Sequence, residues 1–121
     1  MFVAEPESLI GALRSQAGGS LRVVAAYDRD GYEPLYVRDD VTPRMQEVAD
    51  KIHDDLILQD IGRGHLEDLF EAGALECSIY RFEAVTAFHF VGGEYTGLFV
   101  SLDPDADVEL ASFAETCKQA L

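Results

Sequence analysis

Apolar positions recur along this chain with two alternating periods, and each change of period marks an element. Leu9, Ile10 and Leu13 share one face of a helical stretch from Pro6 to Gln16; Pro6 suits a first turn, and Gly18-Gly19 ends it. Leu21 to Tyr27 reads as a strand centred on Val23 and Val24. Asp28-Arg29-Asp30-Gly31 turns it into a second strand, Tyr32 to Arg38, so the two form a hairpin. Thr42 and Pro43 then open the strongest helix, with Thr42 as its cap. Met45, Val48, Ala49, Ile52 and Leu56 recur there at three- and four-residue spacing, with Asp50, Lys51, Asp54 and Asp55 opposite. Gly62-Arg63-Gly64 predicts an interruption, and a second helical stretch, His65 to Ala72, is expected to turn Leu66, Leu69 and Phe70 inward before ending at Gly73.

Three strands follow. Leu75 to Phe82 alternates, with Leu75, Cys77 and Ile79 on one face. Ala84 to Val91 is apolar almost throughout, as in a strand buried on both faces. Gly92-Gly93-Glu94 makes a hairpin turn into Tyr95 to Leu102. Pro104 and the aspartates around it are expected to start a last helix in which Leu110, Ala114, Cys117 and Leu121 line up. The order is α-β-β-α-(α)-β-β-β-α. Strands joined by tight turns are antiparallel, so the predicted class is α+β: a single five-stranded antiparallel sheet flanked by helices, with residues 1–121 forming one domain.

Composition adds one strong fact. The 121 residues carry 23 Asp and Glu against 9 Lys and Arg, for a formal net charge of -14. The carboxylates are dispersed from Glu5 to Glu115 and do not form a tail, so they describe an acidic surface over an ordinary core. Such a surface repels itself at low ionic strength and is relieved when molar salt shortens the Debye length to about 3 Å. That is the composition of a protein adapted to a salt-rich cytoplasm. It lacks the basic face that nucleic acid or an anionic membrane would require. The acidic start, Met1 to Glu7, is unlike a signal sequence, and no apolar run reaches the ~20 residues of a membrane span, so a cytoplasmic location is expected.

Candidate chemistry is sparse. Cys77 and Cys117 form no C-x-x-C pair and each falls on an apolar face, as buried free thiols would. Asp103-Pro104-Asp105-Ala106-Asp107 opens like a calcium loop, but Val108 and Ala114 stand where such a loop needs Gly and Glu, so helix capping is the expected role. His53, His65 and His89 offer no pair at metal-ligand spacing; His53 reads as a solvated helix face and His89 as a hydrogen-bonded core histidine. No nucleophile elbow, phosphate loop or dinucleotide fingerprint is present, and no catalytic residue, metal or cofactor is expected. Arg38-Asp39-Asp40 is the most distinctive polar cluster. An ion pair beside a helix amino terminus explains it, the alternative being the rim of a ligand pocket.

The element order resembles the roadblock, or dynein light-chain-like, family and its profilin-like relatives. Two phrases, Leu35-Tyr36-Val37-Arg38-Asp39-Asp40-Val41 and Arg81-Phe82-Glu83-Ala84, are similar to phrases in small haloarchaeal proteins of no assigned function. The roadblock resemblance implies a non-enzymatic interaction or regulatory module, homodimeric, with a small GTPase or another signalling protein as partner. It also implies that the strand after the long helix lies at a sheet edge and meets its twin there. The expected interface is then Leu75, Cys77, Ser78, Tyr80 and Phe82, with Met45 and Ile52 from the long helix. A small-molecule sensor of the PAS or GAF type is the rival reading. The sheet face holding Phe88, Phe90, Leu98 and Val100 separates the two: helices packed flush on it favour the module, and an enclosed cavity favours the sensor.

Overall fold

The computed structural model describes residues 3–121; Met1 and Phe2, the start of the acidic amino-terminal stretch, lie outside that range. Helix α1 (Pro6–Ala17) leads through a short 3-10 turn, Gly18–Ser20, into a hairpin of β1 (Leu21–Asp28) and β2 (Gly31–Val37). Helix α2 (Thr42–Phe70) follows, then β3 (Cys77–Arg81), β4 (Thr86–Gly93), β5 (Thr96–Leu102) and α3 (Leu110–Gln119). The strands form one antiparallel sheet in the order β2-β1-β5-β4-β3, so β2 and β3 are its edges. The α+β class, the five-stranded antiparallel sheet and the element order are those that the sequence predicts.

The alternation of strand side chains gives the sheet two different faces. On one, Val24, Ala26, Phe88, Phe90, Leu98 and Val100 meet Leu9 and Leu13 of α1 and Phe113 and Cys117 of α3 in the main core. The Phe88 and Phe113 ring centroids lie 5.0 Å apart there. On the other face, Val23 and Ala25 form a smaller cluster with Val41, against which Val37, Met45 and Phe99 pack. Tyr27 and His89 also lie on this face, buried, and the Tyr27 hydroxyl bonds His89 Nε2. Gly97 leaves the room for this pair: a Cβ there would sit 2.5 Å from the Phe90 carbonyl oxygen and 2.5 Å from the Tyr27 hydroxyl.

The structure corrects the sequence expectations at five places. Gly62-Arg63-Gly64 does not interrupt the long helix, which runs unbroken to Phe70. Each helical glycine costs about 1 kcal/mol relative to alanine. Polar anchors on this stretch offset that cost: Asp60 accepts from Arg63 and from the Tyr95 backbone, and Glu67 accepts from the Leu75 backbone. Leu66, Leu69 and Phe70 point outward rather than inward, because the inward side of this stretch carries those anchors. Helix α3 begins at Leu110, not near Pro104; Glu109 caps it by accepting from the Ala111 and Ser112 amides, and Leu110 is exposed. Asp103 accepts instead from Arg38, 65 residues away in sequence. Thr42 makes no capping bond to α2, its hydroxyl lying 3.4 Å from the Arg38 carbonyl. His53 is not a solvated helix residue: its side chain is 12% exposed, and Nε2 donates to the Asp28 carbonyl at 2.6 Å.

Candidate interaction surface

One region, the second half of α2 and the adjoining sheet edge, gathers most of the large hydrophobic side chains left exposed among the described residues. Among the described residues, nine large hydrophobic side chains are exposed, and eight of them lie on the second half of α2 or on the β3 edge. Leu58, Ile61, Leu66, Leu69 and Phe70 form a stripe along α2, at spacings that keep them on one side of the helix. Ile79, Tyr80 and Phe82 continue the apolar surface at the sheet edge. Phe70 is 75% exposed and Phe82 59%, unusual values for phenylalanine in a protein otherwise covered in carboxylates.

The sequence-predicted interface residues divide between the two sheet faces. By their pairing with β4, Ser78 and Tyr80 share the face that carries His89 and Ala87, and the Tyr80 hydroxyl donates to Gln59 of α2 at 2.7 Å. Phe82 lies just past the end of β3, and Met45 and Ile52 stand half-buried on α2. Met45, Ile52, Tyr80 and Phe82 come together around one open groove between α2 and the sheet. Cys77 and Ile79 lie on the opposite face; Cys77 packs half-buried against the main core. Leu75 precedes β3, and its amide donates to Glu67 at 2.6 Å. The stripe from Leu58 to Phe70 is the part of this surface that the sequence reading missed. Its spacing was the available signal, but the same spacing reads equally well as an inward face.

Burial pushes the Cys77 thiol up to about 11 and the Cys117 thiol up to about 12, so neither is an activated nucleophile. The Tyr27 hydroxyl is raised above its usual range, mainly by burial, and His89 is lowered for the same reason, so the pair is neutral near pH 7. Arg38 is bidentate on both sides, to Asp40 at 2.6 and 3.0 Å and to Asp103 at 2.7 and 2.9 Å. Hydrogen bonds from Arg38 hold both carboxyls below the usual carboxylate range. Asp39 is exposed beside them. This cluster ties the end of the first hairpin to the segment after β5. Among the described residues, no group of three or more His, Cys, Asp and Glu side chains is placed to hold a metal ion, and no helix is long and apolar enough to cross a membrane.

Residues 7–121 match the sequence model of a family described as a domain of unknown function, DUF7522. No curated protein sequence matches the chain. Solved structures with the same fold include the roadblock/LC7 domain from Streptomyces avermitilis, at 15% identity and a TM-score of 0.56, covering 94% of this chain and 89% of that one. Myxococcus xanthus MglB superimposes with a TM-score of 0.65 at 12% identity, over 98% of this chain and 85% of its own. An MglB solved in a tetrameric arrangement does so with a TM-score of 0.56 at 15% identity, over 98% and 92%. Identities this low establish the roadblock/LC7 fold and nothing finer.

Proposed function

This chain belongs to the DUF7522 family, a domain of unknown function, and we propose that it is a non-enzymatic interaction module that works as a homodimer. One observation carries the reading: eight of the nine exposed large hydrophobic side chains among the described residues lie on the second half of α2 and on the adjoining β3 edge. An edge strand offers unpaired backbone groups to another strand. A two-fold contact there would pair β3 with its twin and lay the two α2 stripes together. Molar salt would screen the repulsion between two chains of net charge -14, so the dimer belongs to the salt-rich cytoplasm that the composition points to. The roadblock fold makes a small GTPase or another signalling protein the proposed partner of the assembled module, with residues 1–121 acting as one unit. The sensor reading loses its expected site, since Phe88, Phe90, Leu98 and Val100 are sealed against α1 and α3 with no more than 1% exposure.

Light scattering in molar KCl tests the dimer and should report twice the 13.3 kDa chain mass. Tyr80→Asp and Leu69→Glu, both at exposed positions, should each shift the protein to monomer while leaving its circular dichroism unchanged. A monomer at every concentration in high salt overturns the reading.

A further inference from the structure

The groove between the first half of α2 and the sheet has a composition that the dimer does not explain. Its volume is about 580 Å³, within the range of small-molecule sites. Val23 and Phe99 of the sheet and Met45, Val48 and Ile52 of α2 give it an apolar lining. Yet three of the chain's nine cations, Arg22, Arg44 and Lys51, also line it, on a protein of net charge -14.

Of the residues lining the groove only Asp55 is acidic, against three cations, and the nearby carboxylates hold hydrogen bonds of their own. Asp55, which also lines it, accepts from Gln59 at 2.6 Å, and Glu47 accepts from Arg44 at 3.2 Å. Asp103 is taken by two bonds from Arg38, and Arg22 approaches it more loosely, at 3.6 Å. Lys51 has no carboxylate within 4.0 Å among the described residues. Arg22 Nε is buried and without a hydrogen-bond partner, the one such side-chain nitrogen or oxygen among the described residues. A buried donor left unpaired is costly, and one on a guanidinium is best satisfied by an anionic oxygen.

We propose that this groove binds an amphipathic monoanion, an apolar chain ending in a carboxylate, with the chain on Val23, Phe99 and Ile52 and the carboxylate at Arg22. The apolar lining takes the body of the ligand, and the guanidinium of Arg22, whose side chain is 26% exposed, takes its charge. Lys51 adds a second positive charge along the groove. A charge held in a partly buried site is screened by salt far less than one on the surface, so the site works at the ionic strength this protein requires. The proposal does not rest on the dimer.

Titration calorimetry in molar KCl, with sodium octanoate as the probe and 1-octanol as its uncharged counterpart, tests it. Octanoate should bind saturably, one per chain, and 1-octanol about tenfold more weakly or worse. Arg22→Gln should weaken octanoate by about tenfold while leaving 1-octanol unchanged, and Arg29→Gln, in the β1–β2 turn, should change neither. Methyl resonances of Val23 and Ile52 should shift on octanoate addition, which places the ligand even where a variant folds poorly. Equal binding of octanoate and 1-octanol, or octanoate binding untouched by Arg22→Gln, overturns the proposal. Light scattering on the same samples separates it from the dimer: a folded dimer that binds no octanoate sinks the ligand and keeps the dimer, whereas a monomer that binds octanoate does the reverse.

Discussion

The two halves of α2 are built the opposite way round. In the first half, the side facing the sheet is apolar, with Met45, Ala49, Ile52 and Leu56, and the outer side carries Asp50 and Asp54. In the second half, the inward positions are Asp60, Arg63 and Glu67, and the outward ones are Leu58, Ile61, Leu66 and Leu69. The apolar stripe thus changes sides near Leu56. The first half is a surface helix whose covering partner is its own sheet. The second half is fastened to its own chain by polar anchors and shows its hydrophobic side to the outside. This half of the helix holds itself down with a carboxylate, Asp60, whose side chain is only 5% exposed, and leaves its apolar side uncovered.

The largest effect that this contrast predicts is an asymmetry between two leucines on one helix. Leu56 is 6% exposed and Leu69 is 64% exposed. Leu56→Ala should lower stability by about 2–5 kcal/mol, the range for an aliphatic side chain removed from a core. Leu69→Ala should stay within about 0.5 kcal/mol when measured on dilute monomer. Urea unfolding in molar KCl reads both, and similar losses at the two positions would break the contrast between the halves. Repeating Leu69→Ala at concentrations that favour self-association sharpens it, since the loss should then grow with protein concentration.

A middle-sized effect belongs to the anchors. Asp60→Ala removes the acceptor for the Arg63 guanidinium and for the Tyr95 amide, which sits at a residue with φ of 56°. Leaving such donors without partners costs about 1–3 kcal/mol. The loss should fall locally, as faster amide exchange at Tyr95 and along the helix beyond Asp60, with the first half of α2 keeping its protection. Uniform loss of protection along the whole helix would show that the anchors do not act on the second half in particular.

The same contrast explains how far the sequence could be read. The first half of α2, the hairpin and the three-strand run follow the ordinary rule that apolar periods face the core, so their elements and order were legible. The second half breaks that rule. Leu66, Leu69 and Phe70 have the right spacing for an inward face, and only the three-dimensional positions of Asp60, Arg63 and Glu67 show that the helix is turned the other way. Gly62 and Gly64 are breaker signals when read locally, but fixed points on either side of them carry the helix through. The Arg38 cluster was visible as a local pair with Asp40. Its second arm, Asp103, is distant in sequence and reads locally as a helix cap, the role that Glu109 fills. Arg22 had no sequence signal at all, because its interest lies in a donor that finds no acceptor.

The smallest predicted effect is one of sign, and it concerns the buried pair near the second half of α2. His89 borders a cavity shared with Gln59, Asp60 and Arg63, and the Tyr27 hydroxyl bonds it from the neighbouring part of the sheet. Burial lowers its affinity for a proton below the ordinary histidine value of 6.5; the Asp60 charge opposes that shift, and Arg63 reinforces it. The unfolded chain therefore binds a proton on this residue at a pH where the folded chain does not. Stability from this source is complete above about 6.5 and declines as pH falls from there toward the lower folded value. The Arg38 carboxylates contribute nothing in that window, since both titrate below the usual carboxylate range. Thermal unfolding in molar KCl should accordingly show a midpoint that falls between pH 7 and pH 5, and His89→Gln should flatten that slope even if it lowers the midpoint at pH 7. A wild-type midpoint that rises on acidification, or a slope that survives His89→Gln, would place the titrating group elsewhere and leave the second half of α2 fastened by Asp60 and Glu67 without a histidine beneath it.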